Sequence, residues 1–407
     1  MNWLGFIGLM RSIYGPGLPD LGKIQRQGLL AVKIGQTFAL RADFLDEAKC
    51  RHLAKLYRQT LSLPPEDIDR LLAGAPAGWR GSFAEIDRSP LASASVGQVH
   101  RATLRDGRAV VVKLVKGDFA RRFTGDVRSL RRLVGLAILL YPKLRKVADP
   151  AGILDHIEEY TLTELDLRNE VAHGDVLRRV RDEYRDRYDL SALAFPAVHR
   201  ELSGEKVLVT EFIAGPTLDE LLDEGKLPYD VLLKLFAIHG FFIFGPGVFH
   251  GDIHPGNIIL NGGKLYFVDT GALSRIGDRI RTGLFRFFEA LCQYDFPACA
   301  ERINAMAERG LDGAPYRRFR EKFLALYRDF PDTTVAQVSL TRKMMDTIKL
   351  AVHSGMVFER GMYPVIKSMM YLDGMVLRCK PDAVLMRDMR GPLAAFRRAL
   401  PPTAATA

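Results

Sequence analysis

Cysteine is scarce in this chain. Four are present in 407 residues, at positions 50, 292, 299 and 379, and none forms a Cys-x-x-Cys pair. That spacing indicates neither a zinc site nor a disulfide framework, and a reducing compartment is the default. Long hydrophobic runs are missing as well. The longest apolar stretch, Val231 to Phe249, is broken by Lys234, His239 and Gly245-Pro246-Gly247, which favours a buried helix over a membrane span. The first ten residues are apolar but lack the basic start and the cleavage site of a secretory signal. No internal repeat is present. Acidic residues are in deficit: 48 Asp and Glu against 58 Lys and Arg leave a formal charge of +10. Such a balance favours anionic partners (nucleotides, anionic lipid surfaces or nucleic acid) without choosing among them. The hydrophobic content of 48% and charged content of 26% are those of an ordinary globular protein. The length suits one large domain or two lobes.

What is present is concentrated in one stretch, Phe249-His250-Gly251-Asp252-Ile253-His254-Pro255-Gly256-Asn257-Ile258-Ile259-Leu260, followed by Leu265-Tyr266-Phe267-Val268-Asp269-Thr270-Gly271. An Asp, four spacers, an Asn, and a second Asp after an apolar strand resemble the catalytic loop and metal site of protein-kinase-like enzymes. The chemistry accounts for the residue types. Asp252 can accept the proton of an attacking hydroxyl or orient a nucleophile, while Asn257 and Asp269 can offer oxygen to Mg²⁺ bridging nucleotide phosphates. Between them Asn261-Gly262-Gly263 has the composition of a tight hairpin turn, which would carry both metal ligands to one edge. The competing reading is an Asp/Asn-rich loop that only caps turns.

Upstream, Gly28 to Arg41 has helical apolar spacing, with Lys33 and Gln36 on one face. By itself this is a plain amphipathic helix with a solvated lysine. Pro64-Pro65-Glu66-Asp67 opens another helix. Phe83 to Val115 reads as three strands with a small-residue turn at Ala92-Ser93-Ala94-Ser95 and a hairpin at Asp106-Gly107. The β-branched strand Ala109–Val115 holds a single lysine, Lys113, at the position where a kinase holds the lysine that contacts the α- and β-phosphates. An edge-strand lysine is the alternative. Residues 119–147 are basic with apolar interruptions and suit a solvated helix packed on the domain, or a membrane-surface or partner helix. Tyr160–Ala172 is predicted as one helix carrying Glu164, Asp166 and Glu170, of which Asp166 and Glu170 share a face. One of these carboxylates is expected to pair with Lys113 and another to hold Lys33. Val207–Gly215 is a strand ending in a glycine turn, and Thr217-Leu218-Asp219-Glu220 starts a helix. From Gly271 to about residue 397 the pattern is almost wholly helical, with Met344-Met345, Met369-Met370 and Met375 as core.

Together these residues resemble the UbiB family of atypical protein-kinase-like proteins, also called AarF-domain or ABC-one kinases. Lys33-Ile34-Gly35-Gln36 is similar to its KxGQ motif, Ala92 to His100 to its alanine-rich loop, and Glu164-Leu165-Asp166 to its ExD motif with Glu170 following. His250 to Asn257 matches its catalytic loop. The resemblance covers roughly residues 25–380. Three features depart from it. Thr270 stands where Phe is usual, Ser93 stands where Ala is common, and the C-terminal membrane spans of many bacterial members have no counterpart.

The resemblance implies an α+β, bilobal protein-kinase-like fold with a small β-rich N-lobe, a helical C-lobe and an N-terminal helical extension. The boundaries expected from the motifs are 1–80 for the extension, 81–214 for the N-lobe, 215–397 for the C-lobe and 398–407 for a disordered tail. It implies ATP and Mg²⁺ as cofactors, with Asp252, Lys113 and Lys33 in catalytic roles. Ala92, Ser93, Ala94, Ser95, Lys113, Glu164, Asp166, Glu170 and Glu211 would surround the nucleotide, Glu211 lying on the strand that leads to the adenine-contacting hinge, and Asn257 and Asp269 would hold metal. It further implies a KxGQ helix folded over the active site and a supporting role in ubiquinone or related isoprenoid-lipid biosynthesis. The partners implied are isoprenoid-quinone precursors, quinone-biosynthesis enzymes and an anionic membrane surface, with no nucleic acid. The expected location is cytoplasmic or peripheral on the inner face of a bacterial membrane. Two rival functions are a small-molecule phosphotransferase of the aminoglycoside or choline kinase type and a nucleotide-gated scaffold without turnover. The KxGQ stretch and the alanine-rich loop argue against the first, and the full set Lys113, Asp252, Asn257 and Asp269 against the second.

Overall fold

A computed structural model describes residues 3–39, 45–57, 68, 72, 78–93, 96–115, 119–140, 150–358 and 362–400. The expectations for Pro64–Asp67, Ala94, Ser95, Lys143, Arg145, Lys146 and the last seven residues lie outside these. The architecture is α+β, with two compact units: Met1–Ala172 with Pro196–Phe212, and His173–Phe195 with Ile213–Ala407.

The first unit opens with four short helices, α1 (Trp3–Tyr14), α2 (Leu21–Arg26), α3 (Leu29–Ala39) and α4 (Glu47–Ala54). Their apolar faces share a core with α5 (Phe119–Leu140) and α6 (Pro150–Glu164). Helix α5 buries Phe123, Val127 and Leu130 there, while Leu136 and Leu139 stay exposed. A four-stranded antiparallel sheet follows the order β1 (Phe83–Ser93), β2 (Gly97–Leu104), β3 (Ala109–Val115), β4 (Val207–Glu211). Gly107, at φ 86°, makes the β2–β3 turn. Pro90 falls in β1, an edge strand with irregular register, where a missing N–H costs least.

Alternation along β3 sends Val110, Val112 and Leu114 to one face, against Trp79 and Phe83. Lys113 therefore projects from the other face, where Val115 packs with Leu165 and Leu167. Leu167 begins α7 (Leu167–Tyr184).

The single helix predicted over Tyr160–Ala172 is in fact two. Helix α6 ends at Glu164 and α7 starts at Leu167. Asp166 makes the break: its side chain accepts from Arg168 N at 3.1 Å and its carbonyl accepts from Asn169 N at 3.0 Å. An aspartate that can satisfy the first amides of a new helix competes with continuation of the old one. Asp166 and Glu170 consequently do not share a helix face.

The second unit is mainly helical. Thr217 caps α8 (Leu218–Asp223) with a reciprocal Thr217–Glu220 capping box. The apolar run from Val231 becomes α9 (Tyr229–Phe244), buried along most of its length. Strand β5 (Val248–His250) leads into the loop, and β6 (Ile258–Asn261) and β7 (Lys264–Phe267) form the hairpin beyond it. Gly262 and Gly263 have φ of 56° and 76°, so the turn needs the residues that tolerate the left-handed region at both central positions. The two-residue strand Leu193–Ala194 pairs in parallel with β7, and β8 (Leu273–Arg275) pairs with β5. The helices that follow are α10 (Asp278–Cys292), α11 (Phe296–Met306), α12 (Gly313–Leu326), α13 (Leu340–His353), α14 (Met362–Cys379), α15 (Leu385–Asp388) and α16 (Arg390–Ala399). Met344, Met369 and Met375 are buried among them. Among the described residues no helix is long and apolar enough to cross a membrane.

Candidate active site

In the first unit the lysine of β3 and the carboxylates near α7 sort themselves into pairs. Lys113 Nζ donates to Glu170 Oε2 at 2.7 Å, with the carboxylate side chain only 4% exposed. Lys33 on α3 is itself buried and donates to Glu164, the last residue of α6. The Tyr160 ring, one turn earlier on α6, lies 5.3 Å from the Lys33 ammonium. The solvated-lysine reading of this helix is thereby replaced: charge is buried because a partner is buried with it. Gln36, one turn on, donates to Leu56 O at 2.9 Å. Gly35 sits where the helix meets that segment, and a methyl group there would come within 2.6 Å of Leu56 Cδ1.

Asp166 meets neither lysine. Arg168 holds it at 2.6 Å, and the guanidinium beside it lowers the carboxyl below its ordinary range. Glu211, at the end of β4, accepts from Ala197 N at 3.1 Å. Ala92 and Ser93 close the edge strand, paired with Val99 and Gln98, and Ala94 and Ser95 fall outside the described residues. Gln98 is 1% exposed, and both atoms of its side-chain amide lack a partner among the described residues.

In the second unit His250 organises the loop. Its Nδ1 accepts from Asp252 N at 3.0 Å, so the proton is on Nε2, which donates to the Asp269 carbonyl. One buried neutral imidazole thus fixes the backbone at both aspartates, and burial pushes its pKa down. Asn257 is set by three backbone contacts: its N–H donates to His254 O at 2.9 Å, its carbonyl accepts from Val268 N at 3.0 Å, and its Nδ2 donates to Asp252 O at 3.3 Å. Asp269 Oδ1 accepts from Gly271 N at 2.9 Å. Among the described residues no group of three or more His, Cys, Asp or Glu is placed to hold a metal ion by itself. Asn257 and Asp269 are an all-oxygen pair of the kind Mg²⁺ uses when phosphates and water complete its shell.

One charged residue at this loop was not anticipated. Lys367, on α14, lies 3.0 Å from Asp252 Oδ1 and is 8% exposed. Burial draws the Asp252 carboxyl upward, but the adjacent ammonium and the neighbouring His254 and His250 together outweigh it and leave the pKa below the ordinary value. The available signal was a lysine inside the largely apolar Val365-Ile366-Lys367-Ser368-Met369-Met370, which reads more simply as helix core.

Comparison with known proteins identifies the family. A family model, the ABC1 atypical kinase-like domain, matches residues 55–303. The chain is 24% identical over 360 residues to the uncharacterized protein in hydrogenase 1 5′ region of Clostridium pasteurianum, covering 86% of this chain and 65% of that one. It is 31% identical over 248 residues to the probable protein kinase UbiB of Vibrio atlanticus, with coverage of 58% and 43%. It is 30% identical over 298 residues to the chloroplastic protein Activity of BC1 complex kinase 8 of Arabidopsis thaliana, with coverage of 70% and 38%. The chain therefore spans less than two thirds of the length of each of these relatives. The solved structure of the Rv3197–erythromycin complex from Mycobacterium tuberculosis superimposes with a TM-score of 0.53 at 21% identity, covering 93% of this chain and 95% of that one, and so shares the fold. By motif, by family model and by fold, the chain belongs to the ABC1/UbiB family of atypical kinase-like proteins.

Proposed function

We propose that this protein binds ATP and Mg²⁺ and transfers the γ-phosphoryl group to water or to a hydroxyl acceptor, in support of ubiquinone or related isoprenoid-lipid biosynthesis. The observation that carries the reading is the buried Lys113–Glu170 pair, in a chain whose other unit holds Asp252, Asn257 and Asp269 on one loop and hairpin. A lysine held by a helix glutamate is the arrangement that presents an ammonium to the α- and β-phosphates in kinase-like enzymes. In this reading Ala92 to Ser95 and Gln98 lie along the phosphates, and the segment at Glu211 meets the adenine. Asn257 and Asp269 would hold the metal, which supplies charge neutralisation of the phosphates.

The chemistry asked of the chain's own residues is modest. An acceptor oxygen attacks the γ-phosphorus as the bond to the bridging oxygen breaks, and ADP departs with that electron pair. Asp252 takes the acceptor's proton. Lys33, through Glu164, fixes the KxGQ helix in the unit that carries Lys113. The functional division we propose follows the motifs, with the extension at 1–80, the N-lobe at 81–214 and the C-lobe at 215–397.

The test is ATP hydrolysis by the purified protein, with and without isoprenoid-quinone precursors and anionic liposomes. MgATP-dependent phosphate release that disappears in Asp252→Asn supports the reading. Nucleotide binding without any turnover, under all of these conditions, would favour the scaffold. Transfer to choline or an aminoglycoside would favour the small-molecule phosphotransferase.

A further inference from the structure

Phosphoryl transfer needs positive charge close to the group in flight, because its equatorial oxygens carry charge through the transition state. The loop that carries Asp252 has none to offer beyond its histidines: no lysine or arginine occurs between Phe249 and Leu260. His250 is neutral and fully occupied by backbone groups. His254 Nδ1 accepts from Gly256 N at 3.0 Å, capping the short turn Pro255–Asn257. Lys264, on the hairpin, is exposed.

A cation beside Asp252 comes from far along the chain. Helix α14 lays two residues one turn apart against the loop. Lys367 Nζ sits 3.0 Å from Asp252 Oδ1, and the Tyr371 ring stands edge-to-face on His254 at 5.3 Å. The same Tyr371 ring lies 5.8 Å from the Lys367 ammonium. The lysine side chain is 10% exposed, so the ammonium is held rather than free to wander in solvent. A buried lysine costs desolvation that a single carboxylate does not always return. Helix α14 tolerates it between Val365 and Met369, two buried apolar residues, where an apolar residue would fit the core pattern.

We propose that Lys367 is a further active-site lysine: its ammonium contacts the γ-phosphoryl group during transfer and rests on Asp252 when no nucleotide is bound. This rests on the ATP reading above, in which Asp252 is the group that meets the acceptor. A cation within hydrogen-bond reach of that carboxylate is adjacent to the reacting phosphorus. The residue takes no part in bond making. It offers N–H donors to oxygens that become more negative as the bond to ADP lengthens.

The experiment has two arms on the full chain. In the first, wild-type protein is treated with an ATP acyl-phosphate probe, which acylates lysines close to the terminal phosphates, and the modified sites are read by mass spectrometry with and without competing MgATP. Acylation of both Lys113 and Lys367, each suppressed by MgATP, is the expected result. In the second, steady-state ATP turnover is compared for Lys367→Met, Lys367→Gln and Lys367→Arg. The neutral variants are expected to lose roughly 100-fold in kcat with KM for MgATP within about threefold, and Lys367→Arg to recover at least about tenfold of that loss. Labelling of Lys113 without Lys367 overturns the inference and leaves the ATP reading standing, as does an unchanged kcat or a loss confined to KM. Labelling of neither lysine overturns the ATP reading and this inference with it. The labelling arm uses no variant, so it decides the matter even if a substitution prevents folding.

Discussion

Truncating Lys33 is the sharpest test of how the N-terminal helices are anchored. The Lys33 side chain is 6% exposed and its partner Glu164 18%, so both charges are largely out of water. Lys33→Ala leaves the carboxylate with its desolvation only partly offset, and breaking one side of a buried pair costs about 3–5 kcal/mol. The incomplete burial of Glu164 argues for the lower end, about 3 kcal/mol. A surface lysine would change stability by no more than ~0.5 kcal/mol. For a domain of ~150–250 residues each kcal/mol moves Tm by ~2–4 °C, so the expected drop is about 6–12 °C. Replacing both residues, as Lys33→Met with Glu164→Met, removes both charges together. That double variant should recover to within ~1 kcal/mol of wild type, because an apolar pair of similar volume often substitutes for a buried ion pair without loss. Scanning calorimetry and urea titration of the three proteins measure the cycle. A Lys33→Ala protein within 0.5 kcal/mol of wild type, or a double variant no better than the worse single, would refute the account of a desolvated pair. The same Lys33→Ala protein is expected to show altered ATP turnover.

Four further outcomes are expected. Lys113→Ala should weaken MgATP binding or turnover and destabilise its unit by about 3 kcal/mol, since Glu170 is 4% exposed at the side chain; isothermal titration and denaturation measure the two parts. Asp269→Asn should abolish Mg²⁺-dependent nucleotide binding while circular dichroism stays unchanged, and unaltered MgATP affinity would remove Asp269 from a metal role. Gly35→Ala should cost about 1–3 kcal/mol by overpacking, because the new methyl would meet Leu56 Cδ1 at 2.6 Å, and a neutral result in urea titration would show that this contact yields easily. The fourth concerns pH. Burial pushes the His239 imidazole from 6.5 down to about 3, so the folded protein binds fewer protons than the unfolded chain below 6.5. The stability associated with this group is present above pH 6.5 and is lost as pH falls toward 3, amounting to about 2 kcal/mol between pH 7 and pH 5. Denaturation at the two pH values should show that slope in wild type and a reduced one in His239→Leu.

The motifs with short-range chemistry could be read directly from the residue order. The Gly262-Gly263 hairpin and the Thr217 cap each depend on residues within a turn of one another, so local sequence carries their geometry. The loop from His250 to Asn257 is legible as a motif, while its backbone is also fixed from Val268 and Asp269. The β-branched strand Ala109–Val115 with its single Lys113 is likewise legible in the residue order. Which carboxylate that lysine would take was a different matter. On a single helix Asp166 and Glu170 share a face, with Glu164 well off it, and only the resemblance to the kinase helix glutamate prefers Glu170 for Lys113. The helix breaks at Asp166, where the side chain caps the next helix and is held by Arg168, and the break sends Glu170 to Lys113 and Glu164 to Lys33. Lys33 itself is apolar-patterned helix with one lysine until its partner, 131 residues away, is brought beside it. Lys367 is the extreme case. Nothing within its own helix distinguishes it from a lysine in a core-facing stretch, because its meaning lies in Asp252, more than a hundred residues earlier. Periodicity and capping are written into neighbouring residues, whereas the pairing of two buried charges is settled only when packing removes water from both at once.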